Sequence, residues 1–283
     1  MSGFSADWLA LREPADHNAR SRELAGRLKA LLWAEDDLRV ADVGAGTGAN
    51  LRATAPLLGP RQHWHLIDHD TALLNTAAEA LSNWAENSTR GADDLLLEKG
   101  GRSIRVTFQQ ADLAAHPEAI ATGRPHLVTS SAFFDLASAP WIERFVSEVV
   151  RCKAVFFTVL TCDGRDDWSP PHEADAPVAA AFRAHQRINK GFGPAAGNAA
   201  TDLLSHAFHS LGYVTDAAES PWLLDGHHPL DADLIAALAT GMADAAGETG
   251  LVQPKWLEAW LDAHQGARQC RIGHMDLLAW PNG

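Results

Sequence analysis

Apolar residues along the chain alternate between a spacing typical of strands and a spacing typical of helices. Short apolar runs predict five successive strands, at 38–43, 63–67, 103–109, 126–131 and 154–160. Apolar residues at helical spacing predict the intervening helices, at 51–58, 71–86, 113–121 and 142–150. This alternation predicts an α/β fold in which a mostly parallel sheet is covered by helices on both faces.

The flanking segments depart from this alternation. Leucines at helical spacing predict a helix over 15–33, capped by Asp16, so residues 1–36 are interpreted as an N-terminal helical cap. A polar stretch at 163–197 contains Pro and Gly and surrounds one helical pattern, at 178–189. Because such long connections often cover binding sites, we expect a lid-like insertion after the fifth strand.

Regular elements resume in the last part of the chain, 198–283. Its pattern predicts helices at 199–211, 231–246 and 254–264, and strands from 213 and over 271–280. In the first half, 87–101 is the segment expected to form an exposed loop. No linker composition divides the chain, so a single domain over 1–283 is expected.

A glycine-rich turn follows the first predicted strand. Gly44, Gly46 and Gly48 allow a sharp backbone turn, and the start of the next helix adds a partial positive charge. Such a turn accepts a polar or anionic ligand. Since Gly44, Gly46 and Ala49 also satisfy G-x-G-x-x-G/A, the turn alone is compatible with a dinucleotide as well as with other nucleosides.

Acidic residues follow the next two predicted strands at the same edge of the sheet. Asp68 ends the second strand, where a carboxylate can accept hydrogen bonds from ribose hydroxyls. Asp70 lies two positions later and is an alternative for this role. Asp112 follows the third strand, where it suits an adenine amino group or the N-cap of the next helix.

Four segments together resemble class I S-adenosylmethionine-dependent methyltransferases: VADVGAGTGAN, LIDHD, QQADL and HLVTSSAFFD. The resemblance covers 38–160, interpreted as the cofactor-binding core, and RIGHMDLLAWP resembles the last strand of that family. It implies a Rossmann-like seven-stranded, mostly parallel sheet with an antiparallel last strand. It also implies S-adenosyl-L-methionine as the cofactor. The N-terminal segment is similar to uncharacterised bacterial proteins of this class.

The resemblance implies roles for individual residues, which are as follows. Gly44, Ala45 and Gly46 would approach the methionine part of the cofactor, Asp68 would bind its ribose, Asp112 and Leu113 would frame its adenine, and Ser130 would line the site beside its sulfonium. Asp42 would order the loop or, through water, the cofactor's amino group, and His69 is a further candidate for cofactor binding. Arg20 or Arg12 is hypothesised to pair with the cofactor carboxylate. The fourth strand lacks the Asn/Asp-Pro-Pro-Tyr signature of enzymes that methylate amino groups of DNA or protein glutamine, which favours a small-molecule acceptor.

Methyl transfer needs alignment of the nucleophile, exclusion of water and, for some acceptors, removal of a proton. In the expected lid, His185 is the candidate general base, because its ordinary pKa lies near neutrality. Arg165 and Lys190 are candidates for binding an acceptor carboxylate or phosphate.

Composition narrows the environment and the partners. The formal net charge of -13, without a basic run, disfavours nucleic acid. Three widely spaced cysteines favour a reducing compartment, and no apolar run predicts a signal peptide or a membrane span, so a cytoplasmic location is expected. No metal is expected, because His63 and His65 share a strand face whereas His69 lies beyond the strand end.

Three other functions stay open at this point. An NAD-dependent oxidoreductase would use the same glycine turn but needs a second mononucleotide-binding half, which the pattern after residue 160 does not predict. Cyclisation or cleavage of S-adenosylmethionine would use the same site for different chemistry. A non-catalytic sensor would only bind the cofactor.

Overall fold

The predicted strands form one mixed sheet. The computed structural model describes residues 4–282, in which this sheet has ten strands. The strands are β1 Leu38–Val43, β2 Arg61–Asp68, β3 Asn87–Arg90, β4 Leu95–Lys99, β5 Arg102–Gln110, β6 Leu127–Ser131, β7 Val155–Ser169, β8 Tyr213–Glu219, β9 Trp222–Asp225 and β10 Gln269–Pro281. The α-helices are α1 Ala6–Ala19, α2 Arg22–Leu31, α3 Ala49–Thr54, α4 Thr71–Trp84, α5 Ala139–Cys152, α6 Asp175–Gln186, α7 Ala200–Ser210, α8 Pro229–Thr249 and α9 Pro254–His264.

The strand order confirms the predicted fold class. Neighbouring strands follow the order β3-β4-β5-β2-β1-β6-β7-β10-β8, and β9 pairs with β10. The pairs from β5 to β7 are parallel, whereas β10 is antiparallel to both β7 and β8. The seven strands β5-β2-β1-β6-β7-β10-β8 therefore form the expected Rossmann-like sheet with an antiparallel last strand. The predicted strand count is too low, because β3, β4 and β9 add to this sheet.

Each face of the sheet has its own apolar core. On β1, Val40 belongs to a cluster with Leu24 of α2, whereas Ala41 and Val43 belong to a second cluster with Phe208 of α7. Successive side chains of a strand point to opposite faces, so this division places α2 and α7 on opposite sides of the sheet. Helices thus cover both faces, as predicted.

Strand register brings the ends of the central strands to one edge. Val43, the last residue of β1, pairs with Ile67 of β2 and with Ser130 of β6. The residues that follow these three strands therefore lie side by side. In open α/β sheets, ligands bind at this carboxyl edge.

The N-terminal helical segment differs from its prediction. Instead of one helix over 15–33, α1 ends at Ala19 and α2 begins at Arg22, with the side chain of Ser21 accepting a hydrogen bond from Leu24 N. Asp16 is not a cap but lies buried within α1, because its carboxylate accepts hydrogen bonds from Arg12. The leucines do lie at helical spacing, but the polar residues between Ala19 and Arg22 separate two helices.

Three polar segments also differ from their predictions. The expected loop at 87–101 contains the hairpin of β3 and β4, and the expected helix at 113–121 contains only a 3-10 turn, Pro117–Ala121. The fifth strand continues to Ser169, so the first part of the expected lid belongs to the sheet, where it pairs with β10. These strands are partly exposed, which explains why polar composition concealed them.

Within 4–282, no helix is long and apolar enough to cross a membrane.

Candidate functional site

The glycine turn after β1 has a backbone conformation that requires glycine. Gly44, Gly46 and Gly48 have φ of 64°, 52° and 77°, in the left-handed region that a Cβ atom disfavours. The N–H groups of Gly44 and Ala45 donate to Ile67 O at 2.9 and 3.1 Å, which attaches the turn to the end of β2. The turn is thus held by the sheet before α3 begins.

Side chains from two other segments lie against this turn. A Cβ atom placed on Gly44 would lie 2.6 Å from Phe133 Cδ2, and one on Gly46 would lie 3.1 Å from Leu9 Cδ1. Phe133 follows β6, and Leu9 belongs to α1. Absence of a side chain at both glycines is therefore required by the close approach of neighbours as well as by φ.

The two acids at the end of β2 have different local roles. Asp68 is 5% exposed, and its Oδ2 accepts a hydrogen bond from Gly46 N–H at 2.8 Å. His69 Nδ1 lies 3.2 Å from Asp68 Oδ1. Asp70 instead caps α4, accepting from Ala72 N and Leu73 N. The geometry therefore favours Asp68 over Asp70 as the acid that faces a ligand at the turn.

The acid after β5 caps a turn rather than a helix. Asp112 is exposed, and its Oδ1 accepts from Ala114 N–H at 3.0 Å. Leu113 is buried, and its carbonyl accepts from Trp141 Nε1 at 2.8 Å. The pair thus presents one polar and one apolar residue at the carboxyl edge, as expected, although the predicted N-cap role of Asp112 is wrong.

Ser130 serves the sheet through its hydroxyl. This side chain is completely buried, and its Oγ donates to Val43 O at 2.8 Å. That bond connects β6 with the residue preceding the glycine turn. Ser130 is therefore placed to position the turn from behind.

A buried polar group lies beneath the glycine turn. Asp42 Oδ1 accepts from Asn50 Nδ2 at 2.7 Å, while Arg20 Nη1 donates to Asn50 Oδ1 and Thr54 Oγ1, both at 3.0 Å. Asp42 Oδ2 and Arg20 Nε are buried without a hydrogen-bond partner within 4–282. Burial raises the pKa of Asp42 to about 7, and burial also lowers the pKa of Arg20.

Arg12, the alternative to Arg20, lies elsewhere. Its Nε and Nη2 donate to Asp16 at 2.9 and 3.1 Å, and its guanidinium carbon lies 5.1 Å from the centroid of the Trp222 ring. Trp222 Nε1 also donates to Asp16. Arg12 is thus already paired, and it lines a cavity next to the glycine turn rather than the space beneath it.

That cavity has a volume of about 140 Å³ and lies between the carboxyl end of β6, the middle of β7, β10, α1, α6 and α8. Its apolar lining is Phe4, Ala132, Leu136, Leu160, Phe182, Trp222, Leu238, Met242 and Ile272; its polar lining is Arg12, Asp135, Cys162, Arg165, Asp166, Arg183, Gln186 and His274, with Gly164 completing the wall. An apolar pocket with a few convergent polar groups is the usual form of a small-molecule site.

Two cavity residues have an unusual backbone conformation. Ala132 follows β6 with φ of 52°, and Leu160 lies within β7 with φ of 59°. Both are outside the region that residues with a Cβ normally adopt. Such conformations cluster at functional sites.

The residues expected in the lid are only partly brought to the cavity. Arg165 lines it, but its guanidinium pairs with Asp163 and with Glu219, the latter at 2.8 Å. His185 and Lys190 are not among the described lining residues, and His185 Nε2 instead lies 2.9 Å from Glu248 Oε2. The structure therefore does not bring His185 or Lys190 into the lining of this cavity.

Six polar lining residues were missed from the sequence: Asp135, Cys162, Asp166, Arg183, Gln186 and His274. Phe182, Arg183 and Gln186 lie at helical spacing on α6, so they share a face, whereas His185 lies on another. Helical periodicity therefore could have identified the correct face. Asp135 and His274 give no comparable signal, because their approach depends on the pairing of distant strands.

Comparison with known proteins gives structural matches only. The sequence matches no known protein-family model and has no significant match among curated protein sequences. A provisionally named methyltransferase from Bacillus halodurans has 16% identity and a TM-score of 0.50, over 91% of this chain and 99% of that one. This similarity shows that the two proteins share a fold.

Two further solved structures are similar at lower TM-scores. An S-adenosylmethionine-dependent methyltransferase from Geobacter sulfurreducens, in complex with S-adenosyl-L-homocysteine, has 18% identity and a TM-score of 0.47 over 100% of both chains. An S-adenosylmethionine-dependent methyltransferase from Thiobacillus denitrificans, also in complex with S-adenosyl-L-homocysteine, has 15% identity and a TM-score of 0.43, over 97% of this chain and 98% of that one.

Proposed function

We propose that the protein is an enzyme that transfers a methyl group from S-adenosyl-L-methionine to a small-molecule acceptor. The observation that carries this proposal is the juxtaposition of the glycine turn, tied to Asp68, with a mostly apolar cavity at the same edge of the sheet. One site suits a nucleoside and the other suits a small organic molecule. The shared fold with a provisionally named methyltransferase supports the same conclusion.

The residues around the turn fit this cofactor. Asp42 and Arg20 each keep one buried polar atom without a partner within 4–282, beneath the glycine turn. A ligand with an ammonium and a carboxylate group would complement both charges. Asp42 and Arg20 would hold the amino acid part, Asp68 with His69 the ribose, and Asp112 with Leu113 the adenine.

The topology disfavours a dinucleotide. A dinucleotide-binding sheet has two mononucleotide-binding halves and the strand order 3-2-1-4-5-6. Here the antiparallel β10 lies between β7 and β8, in the position where the second half would continue. This arrangement supports a single nucleoside beside a separate acceptor cavity.

The chain's own contribution is to orient the acceptor and to exclude water. S-adenosylmethionine supplies an activated methyl group, so alignment with the nucleophile is the main requirement for reaction. Ala132 and Leu160, which have unusual backbone conformations, line the cavity in which the acceptor would be oriented. Cys152, Cys162 and Cys270 are unpaired, which supports the proposed cytoplasmic location.

Ligand-dependent thermal unfolding tests the cofactor. At 100 times its Kd, a ligand stabilises the native state by about 2.7 kcal/mol, which corresponds to roughly 5 °C in a chain of this size. We expect this shift with S-adenosylmethionine and S-adenosylhomocysteine and none with NAD or NADP. Stabilisation by NAD alone would refute the proposal. Consumption of S-adenosylmethionine without an acceptor, detected by mass spectrometry, would instead indicate cyclisation or cleavage.

Asp68 and Asp70 provide a matched pair of variants. Asp68→Ala is expected to abolish the shift with S-adenosylhomocysteine, because its carboxylate lies at the turn. Asp70→Ala removes a helix cap and is expected to lower stability by about 1 kcal/mol while leaving the shift intact. The reverse result would assign the ribose-binding role to Asp70.

A further inference from the structure

The size and lining of the cavity restrict what the acceptor is. Its volume of about 140 Å³ is close to that of an engineered cavity of about 150 Å³ that binds benzene. Phe182, Trp222, Leu238 and Met242 form much of its wall. The cavity therefore fits a compact body, such as one ring or a short aliphatic chain.

Asp135 supplies an unpaired negative charge to this wall. It lies in a 3-10 turn, Phe134–Leu136, immediately after β6 and three residues from Ala132. No other residue within 4–282 donates a hydrogen bond to its carboxylate, and the nearby Arg12 is bonded to Asp16. A carboxylate in such surroundings favours a ligand that donates an N–H or O–H.

Arg183 supplies the complementary positive charge. Its Nη1 donates to Gly164 O at 3.3 Å, and among the described residues no carboxylate forms a salt bridge with it. The two other arginines of the lining differ, since Arg12 and Arg165 are both paired with acids. Arg183 therefore has donors left for an anionic group of a ligand.

We propose that the acceptor is a compact organic acid whose carboxylate binds Arg183 and whose N–H or O–H nucleophile binds Asp135. This inference rests on the proposed methyl transfer and specifies its substrate class. As the new bond forms between the nucleophile and the methyl carbon, the carbon–sulfur bond breaks and its electron pair stays on sulfur. The proton of the nucleophile passes to the Asp135 carboxylate, which makes Asp135 the catalytic base.

Other titratable groups around the cavity are less suited to this role than Asp135. Burial also raises the pKa of Asp166, on β7, but its carboxylate already accepts a hydrogen bond from Trp168 Nε1 at 3.0 Å. Burial raises the pKa of Cys162, on β7, to about 11 and lowers that of His274, on β10, to about 3, so both are neutral near pH 7. Burial raises the pKa of Asp135 to about 6, against the effect of Arg12 on α1. A base with a pKa near the working pH is well suited to proton transfer.

Matched probes test the two contacts in the complex with S-adenosylhomocysteine. The first set is 4-aminobenzoate, 4-hydroxybenzoate, benzoate and aniline, and the second is 5-aminopentanoate, pentanoate and pentylamine. Affinity is measured by calorimetry. In at least one set, the probe carrying both groups is expected to bind wild-type protein about ten-fold or more tightly than either truncated analogue. The hydroxyl and amino probes distinguish oxygen from nitrogen acceptors.

Variants assign the contacts. Asp135→Asn is expected to remove the preference over the analogue without the nucleophile, and Arg183→Gln the preference over the analogue without the carboxylate. In wild-type protein, the preference for the probe that carries the nucleophile should weaken as pH falls through about 6, because Asp135 becomes protonated. Arg187→Gln, an exposed change at the end of α6, is the matched control and should alter neither preference.

The outcomes separate this inference from the proposed function. If no two-group probe binds the wild type better than its analogues, the inference is wrong, whether or not the variants fold. The same conclusion follows if Asp135→Asn weakens benzoate and 4-aminobenzoate equally. S-adenosylhomocysteine should stabilise both variants as it does wild-type protein; failure with wild-type protein would contradict the proposed function instead.

Discussion

Replacement of Gly44 by alanine tests the geometry on which the cofactor site depends. The new methyl group would adopt φ of 64° and would lie 2.6 Å from Phe133 Cδ2. Phe133 has little freedom to move, because its ring packs against Phe134, Trp141 and Phe192 with centroids 5.3 to 5.7 Å apart. Gly44→Ala therefore combines backbone strain with overpacking.

Gly101→Ala separates these two effects. Gly101 has φ of 73°, and a Cβ atom there would meet no atom within 4 Å, so this variant carries strain alone. A residue with a Cβ in this region costs about 1–2 kcal/mol, and overpacking adds about 1–3 kcal/mol. Gly44→Ala should thus lower the free energy of unfolding by about 2–5 kcal/mol, and Gly101→Ala by about 1–2 kcal/mol.

Urea unfolding measures both values, and a double-mutant cycle assigns their difference. In a Phe133→Ala background the clash is absent, so Gly44→Ala should cost no more than Gly101→Ala. Calorimetry should also show weaker S-adenosylhomocysteine binding for Gly44→Ala and unchanged binding for Gly101→Ala. Equal costs of the two glycine substitutions in the wild-type background would refute the reasoning about Phe133.

Three further predictions concern charged side chains. Because burial raises the pKa of Asp42 from 3.8 to about 7, its contribution to stability is fully present below about pH 4 and is lost as pH rises through 7. In urea unfolding at pH 5, 6 and 7, the free energy of unfolding of Asp42→Asn should therefore rise relative to that of wild-type protein by about 1.4 kcal/mol per pH unit. A difference between the two proteins that does not change with pH would contradict this. Arg12→Gln leaves the buried Asp16 without its ion partner and should lower the free energy of unfolding by about 3–5 kcal/mol. Most of this loss should be recovered in an Arg12→Gln/Asp16→Asn protein, and a double variant as unstable as Arg12→Gln would exclude the charge explanation. His185→Gln loses only a contact with the exposed Glu248, so it should change stability by less than about 1 kcal/mol and leave 4-aminobenzoate affinity unchanged; weaker binding would return His185 to the acceptor site.

The fold and the glycine turn were predictable because their signals are local. Short apolar runs mark the five strands, and the glycine turn and Asp68 each lie at the end of one of them. Because parallel pairing brings strand ends together, these residues could be placed side by side without knowledge of long-range contacts. Asp42 could be placed under the turn for the same reason. The hairpin at 87–99 was concealed, because its first strand is exposed along its whole length and carries no alternating apolar pattern.

The acceptor side depends on contacts that sequence spacing does not record. Asp135 and His274 are 139 positions apart in the sequence, and they meet because the antiparallel β10 pairs with β7. Arg183 was distinguishable from His185 by helical periodicity, but the direction of α6 relative to the sheet was not. A titratable residue in a polar segment therefore gave a weaker indication of function than the helix face on which it lies.

Helix α1 gives the two sites a common wall. Leu9 lies against Gly46, Glu13 pairs with Arg52 behind the glycine turn, and Arg12 lines the acceptor cavity. These three residues lie within two helical turns, so a shift of α1 changes both sites at once. Helix α1 is attached to the rest of the protein by packing, ion pairs and hydrogen bonds, including those of Asp16 with Trp222 and of His17 with Ala49 O. Coupling between the proposed cofactor and acceptor sites therefore has a physical route in α1, whereas hydrogen bonds to Ile67 O and from Ser130 attach the glycine turn to the sheet.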